Sequence, residues 1–244
     1  MKARAEDQAL LLELQELDTR LGRIDHRERT LPEAVQAEAA RAAFEQARRA
    51  AADRAAEVED VQRELGRVEQ DVEVVASRAV RDDERLRATS SVKDVAALEQ
   101  ELAALATRRS DLEDIQLAVM ERLEQAEAAL AAAEGSREDL AQLAEAAEGE
   151  RAAALAELAR QREQARTDRA AIAARVPAEL LALYERQRAR YGYGASLLRF
   201  GVSGATGVAL EGADLARVRA AAADDVILCP ASDAILVRTA ESGL

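Results

Sequence analysis

Between Val58 and Ala79 the apolar residues Val58, Val61, Leu65, Val68, Val72, Val75 and Ala79 recur at alternating three- and four-residue steps. An average spacing of about 3.5 residues keeps one seam of a helix facing a partner helix, the signature of a coiled coil. A second run opens with Val95, Leu98, Leu102 and Leu105, passes Leu112, Val119, Leu123 and Leu130, and fades through alanine-rich turns to Leu155, Leu158 and Ile172. The stretch Thr89-Ser90-Ser91-Val92-Lys93-Asp94 separates the two runs and supplies cap-forming serines. Long paired helices therefore dominate the chain.

Composition agrees with that pattern. Aromatic residues are 2% of the 244 and tryptophan is absent, which leaves little material for a large globular core. The formal net charge of -13 argues against a protein that coats phosphates over its whole surface, since such binding needs a clustered positive face. The one cysteine, Cys229, forms no internal disulfide and fits a reducing compartment. No apolar stretch approaches the roughly 18 residues of a membrane span, and Met1–Leu14 carries too many charges for a secretory core. The expected location is cytoplasmic.

Two arms of similar length joined by a short turn fold back most simply as an antiparallel hairpin, with facing positions adding to roughly 181 if the turn centres near Ser91. The first arm begins with Leu10, Leu14, Leu17, Leu21 and Ile24, breaks at Leu31-Pro32, and resumes at Phe44, Ala47 and Ala51. Pro32 then faces Gly149, and a shared bend is expected where each weakens its helix. Unbroken, residues 93–175 would extend about 125 Å. Glu16/Arg20, Glu59/Arg63 and Asp83/Arg87 sit four apart and are expected to pair on solvated faces.

Composition changes at Val176-Pro177. Pro177 suits the first turn of a helix over Ala178–Arg190, ended by Gly192 and Gly194. Short apolar pieces follow at 195–200, 207–210, 225–229 and 234–237, with a short helix over 213–221. They predict three or four small strands around one helix, a module marginal by itself because it buries little apolar area.

The turn Ser91-Val92-Lys93-Asp94-Val95-Ala96-Ala97-Leu98, the segment Arg109-Ser110-Asp111-Leu112-Glu113-Asp114, the helix Ala213-Asp214-Leu215-Ala216-Arg217-Val218-Arg219 and the ending Ile235-Leu236-Val237-Arg238-Thr239 resemble a bacterial family in which a coiled-coil hairpin precedes a C4-type zinc ribbon. The resemblance implies two Cys-x-x-Cys pairs flanking the short helix. It places Ser203 and Thr206 at the first pair, Cys229 and Ser232 at the second. Hydroxyls are poor zinc ligands and one thiolate does not close a structural site, so the ribbon is expected to be degenerate and metal-free. Leu197, Leu198, Phe200, Val208, Leu210, Leu215, Val226, Ile227, Leu228, Ile235 and Leu236 are then the expected apolar replacement for the metal, with Cys229 buried among them.

A second constellation gathers Tyr184, Arg186, Arg188, Arg190, Tyr191, Tyr193, Arg199 and Phe200. Two readings stand: an apolar joint kept soluble by arginines, or, from Arg186, Arg188, Arg190, Arg199, Tyr191 and Tyr193, a stacking and phosphate-pairing surface for RNA. Catalysis has no matching motif. His26 is the sole histidine and has no nucleophile placed with it, and Gly201, Gly204 and Gly207 are not followed by the Lys-Ser/Thr of a phosphate loop.

The expected fold is therefore mainly α. A long bent antiparallel coiled-coil hairpin over 1–175, with its turn near 89–93, precedes a small α+β, zinc-ribbon-like domain without metal over 176–244. The expected role is a non-enzymatic scaffold or adaptor that binds proteins, with RNA binding through 184–200 as the alternative. The resemblance adds chaperone-like or regulatory roles. No cofactor, membrane or small-molecule substrate is expected, and the heptads leave dimerisation open.

Overall fold

A computed structural model describes residues 1–243. The chain forms α1 (Ala5–Arg29), α2 (Pro32–Ala88), α3 (Val92–Ala173), α4 (Ala178–Tyr191), β1 (Ala195–Arg199), β2 (Val202–Ser203), α5 (Gly212–Ala220), β3 (Ile227–Leu228) and β4 (Ile235–Val237), then a single 3-10 turn, Ala240–Ser242. It divides into two compact units. One combines Met1–Pro32 with Arg151–Leu244, and the other is Glu33–Glu150.

The second unit is the paired-helix seam that the heptads describe. Val58 and Val61 of α2 are buried, and Leu65, Val68, Val72, Val75 and Ala79 are half-buried along the same stripe. From α3 the seam receives Leu105, Leu112, Val119 and Ala126, all buried and seven residues apart. Half-burial is what two helices alone provide, because each knob is covered from one side only. Opposite charges straddle the seam: Arg78 pairs with Glu101, and Arg122 Nη1 lies 3.1 Å from Glu64 Oε1. Each joins a residue of α2 to one of α3. Asp82 is buried between Arg78 and Arg85, at 3.7 and 3.2 Å, and the apolar pattern gave no hint of it. At the turn, Ser91 Oγ accepts from the Asp94 amide at 3.4 Å and so caps α3.

The break between α1 and α2 lies where proline predicted it. Thr30 closes α1 through its amide and hydroxyl, both donating to the His26 carbonyl, and Pro32 opens α2. Gly149, by contrast, does not interrupt α3. A glycine costs a helix interior about 1 kcal/mol relative to alanine, and the alanine- and glutamate-rich neighbours carry that easily. Of the three expected i,i+4 pairs, Asp83/Arg87 forms. Arg63 instead pairs with Asp60 and donates to the Glu59 carbonyl, and Arg20 leaves Glu16 altogether.

The first unit holds a four-stranded sheet ordered β2-β1-β4-β3, with β1 and β4 parallel and the other neighbours antiparallel. The expected strand over 207–210 reduces to an isolated bridge between Ala209 and Val202, and the hairpin partner of β1 is β2 instead. Two clusters hold the unit. Leu198, Leu210, Val218, Cys229 and Leu236 form one, and the other joins Leu11 and Leu14 of α1 to Val176, Leu180, Tyr184, Ala195, Ile235 and Val237. Phe200 and Val208 belong to neither, being 73% and 55% exposed, and Leu228 is exposed as well. Phe200 sits in the left-handed backbone region at φ 50° on the β1–β2 turn, which aims its side chain away from the sheet.

The expected domain boundary between residues 175 and 176 falls inside this unit rather than at its edge. About seventy residues of sheet and short helix bury too little apolar area alone, and Leu11 and Leu14 of α1 complete the core. The N-terminus extends the arrangement: the Ala3 amide donates to the Asp224 carbonyl at 2.8 Å, and the Val226 amide to that of Met1 at 3.2 Å. Replacing Leu14 by Ala is expected to lower stability by about 2–5 kcal/mol in urea denaturation. A polypeptide of residues 176–244 alone should show the collapsed amide dispersion of an unfolded chain; well-dispersed amide resonances would refute α1's place in that core.

Candidate functional site

Ser203, Cys229 and Ser232, three of the four positions singled out as former ligands, come together. Ser203 lies at the end of β2 and Cys229 just after β3, both fully buried. Each starts a tight reversal: the Gly207 amide donates to the Ser203 carbonyl at 2.8 Å, and the Asp233 amide to the Cys229 carbonyl at 2.8 Å. Gly207 at φ 69° and Asp233 at φ 55° complete the two turns in the left-handed region. Thr206 stays exposed and uses its hydroxyl to accept from the Val208 amide at 3.2 Å.

Burial pushes the Cys229 thiol up, but hydrogen bonds from the Ser232 and Ser203 side chains and from the Ala231 and Ser232 backbone outweigh it and hold the group below its ordinary value. Ser203 Oγ is in turn 3.4 Å from Ser196 Oγ, which accepts from the Ala205 amide at 2.8 Å. One thiol among hydroxyls is not the donor set of a tetrahedral zinc site. No group of three or more His, Cys, Asp or Glu side chains among the described residues is arranged to hold a metal.

The basic-aromatic constellation is split between two roles. Tyr184 is fully buried, and its hydroxyl donates to Asp18 Oδ2 at 2.7 Å. Asp18 also receives Arg169 at 2.7 Å and Arg188 at 3.4 Å, so α1, α3 and α4 converge on one carboxylate. Glu185 bridges the two arginines; burial raises its carboxyl, but Arg169 and Arg188 win and hold it below the usual range. Gln15 adds a further tie, its Oε1 accepting from the Gly194 amide at 2.8 Å and the Ala195 amide at 3.3 Å. At Gly194 any Cβ would sit 2.4 Å from the Tyr184 ring, so only glycine fits.

The remaining members face solvent separately. Arg186 is exposed; Arg190 lies 5.1 Å from the centre of the Tyr191 ring, and Arg199 lies 5.8 Å from that of Phe200 and 3.3 Å from Glu241. Tyr191 donates to Asp233, which raises its phenol, and Tyr193 is 42% exposed. Neither Asp18 nor Gln15 carries a sequence motif, and Arg169 looks like any other helical arginine. Arg238 was equally hidden: its guanidinium donates to the carbonyls of Ala221 at 2.9 Å and Asp225 at 2.9 Å, among others, closing the C-terminal end of α5. His26 is exposed on α1.

Two long paired helices in one unit, and a small mixed sheet packed against α1 and α4 in the other, define a coiled-coil hairpin protein. The chain belongs to the CT398-like coiled coil hairpin domain family, whose profile matches residues 14–192. Two uncharacterized proteins from strains of Mycobacterium tuberculosis are each 37% identical over 246 residues, covering 98% of both chains. A solved structure from Mycobacterium smegmatis is similar with TM-score 0.85 and 35% identity, over 98% of this chain and all of that one. CT398 of Chlamydia trachomatis shares the fold at TM-score 0.65 and 18% identity, over 96% and 98% of the two chains. Among the described residues no helix is long and apolar enough to cross a membrane.

Burial, and then the bond to Asp18, raise the Tyr184 phenol well above its ordinary value of 10. A raised acid contributes its full stabilisation below the unfolded value, and that contribution falls as pH climbs past about 10. Tyr184→Phe is expected to cost about 1.5–3 kcal/mol at neutral pH, the range for a hydrogen bond to a charged partner. In urea titrations from pH 8 to 11 its deficit should shrink above pH 10; a constant deficit would refute the coupling.

Proposed function

We propose that the protein is a non-enzymatic scaffold that holds protein partners along its helical hairpin. The observation that carries this reading is apolar side chains left open on the second unit: Val74 at 59%, Val80 at 58%, Leu117 at 60% and, at the turn, Val92 at 86% exposure. Single exposed apolar residues are ordinary, yet here several lie on helices whose own seam is already paired. A partner helix laid against such a surface would bury them. Many titratable side chains, such as Arg78, Asp18 and Arg238, serve ion pairs and caps, which supports a structural role. The six candidate RNA contacts are divided between the ion-pair network and separate exposed positions, so the protein-binding reading is preferred.

Affinity capture from the native cell, with and without nuclease, tests the proposal. Partners are expected to survive nuclease and to be recovered about tenfold less with Val92→Glu and Leu117→Glu, substitutions at exposed positions that leave the fold intact. Capture that vanishes with nuclease, or that is indifferent to both substitutions, overturns it.

We further propose that the small sheet is a zinc-ribbon-like module in which Ser203, Thr206, Cys229 and Ser232 stand at lost ligand positions. The pairing of two tight reversals around one thiol supports this, and the apolar cluster around Leu198 and Leu236 takes over the metal's stabilising role. Metal analysis of protein purified from zinc-supplemented cells should find far less than one zinc per chain, and chelator should leave the melting temperature unchanged. Stoichiometric zinc would refute it.

A further inference from the structure

Arg20 and Arg23 lie one turn apart on α1, beside the sheet. Arg162, Arg169, Arg188, Arg199 and Arg217 all meet carboxylates. Arg20 and Arg23 make no hydrogen bond or ion pair among the described residues, although Glu16 stands one helical turn before Arg20. Both line a groove of about 620 Å³ between α1 and the sheet, within the ~300–1,000 Å³ range of small-molecule sites. Leu12 and Leu197 give the groove an apolar wall, and Tyr193, 42% exposed, contributes an aromatic ring. Glu16 adds an acceptor that has no partner among the described residues.

We propose that this groove is a binding site for a nucleoside phosphate. Two guanidinium groups one turn apart on a helix suit a phosphate, which they bind through paired, charge-assisted hydrogen bonds. The tyrosine ring and the apolar wall suit a flat heterocycle, which stacks on aromatic faces. The Glu16 carboxylate suits a ribose hydroxyl or an exocyclic amine. Charge complementarity decides the occupant: in a chain of net charge -13, unpaired cations gathered around a concave surface select an anion. A ligand here would also touch α1 and the β1 region together and so stabilise the unit as a whole. The site is independent of the hairpin's apolar surface and stands or falls without the scaffold reading.

Isothermal titration of the full chain with adenosine monophosphate tests the proposal, with inorganic phosphate and a short oligoribonucleotide as separate arms. The expected result is one site per chain for the mononucleotide, weaker binding of phosphate alone, and a loss of about tenfold or more in Arg20→Ala and Arg23→Ala. Tyr193→Ala should weaken the nucleotide but not the phosphate. Arg49→Ala, at an exposed position on α2, should change nothing, and unchanged circular dichroism confirms that each variant folds. The proposal is overturned if no mononucleotide binds, if phosphate binds as tightly as the nucleotide, if only the oligonucleotide binds, or if the arginine variants bind normally.

Discussion

One buried carboxylate organises the first unit. Asp18 takes the Tyr184 hydroxyl at 2.7 Å and the Arg169 guanidinium at 2.7 Å, and so fastens α1, α3 and α4 at a single point. A buried charge is tolerated only where it is paired and fully hydrogen-bonded, and this one is. Removing Asp18 would take from Tyr184 and Arg169 the carboxylate they share, leaving Arg169 and Arg188 to Glu185. The network therefore specifies one packing of the three helices more than it adds raw stability. Leu11 and Leu14, on the same helix as Asp18, supply the apolar burial around it.

The small sheet depends on that arrangement. Its strands are short, two to five residues each, and a sheet of this size has little surface to bury. Three devices compensate. The leucines of α1 cover one face, Arg238 closes the end of α5, and Ser242 Oγ donates to the Leu198 carbonyl at 2.7 Å to pin the C-terminal turn. Cys229 and its serine neighbours hold the two reversals together through hydrogen bonds and close packing.

The second unit follows a different logic. Its stability is spread along a repeating seam, with no single contact dominating, and its ion pairs are mostly exposed and individually worth under about 1 kcal/mol. Such a surface tolerates substitution nearly everywhere. The two units thus divide the labour between a locked, specific core and an extended, permissive face.

The helices, their seam and their turn follow from local residue order. Periodicity is a local property, and Val58 to Ala79 fall on the buried stripe because a helix of about 3.6 residues per turn puts them there. Pro32, Ser91 and Gly192 marked their boundaries for equally local reasons of backbone chemistry. In the small module the approximate strands were legible, whereas the exposure of Phe200, Val208 and Leu228 was not. Hydrophobicity does not reveal which side of a two-residue turn a side chain takes. That α1 completes the C-terminal core, that Asp18 gathers its partners from more than 150 positions away, and that Arg20 and Arg23 share a groove with Tyr193 are set by long-range packing. Those are contacts between residues distant in sequence, and no window of neighbouring residues contains the information that brings them together.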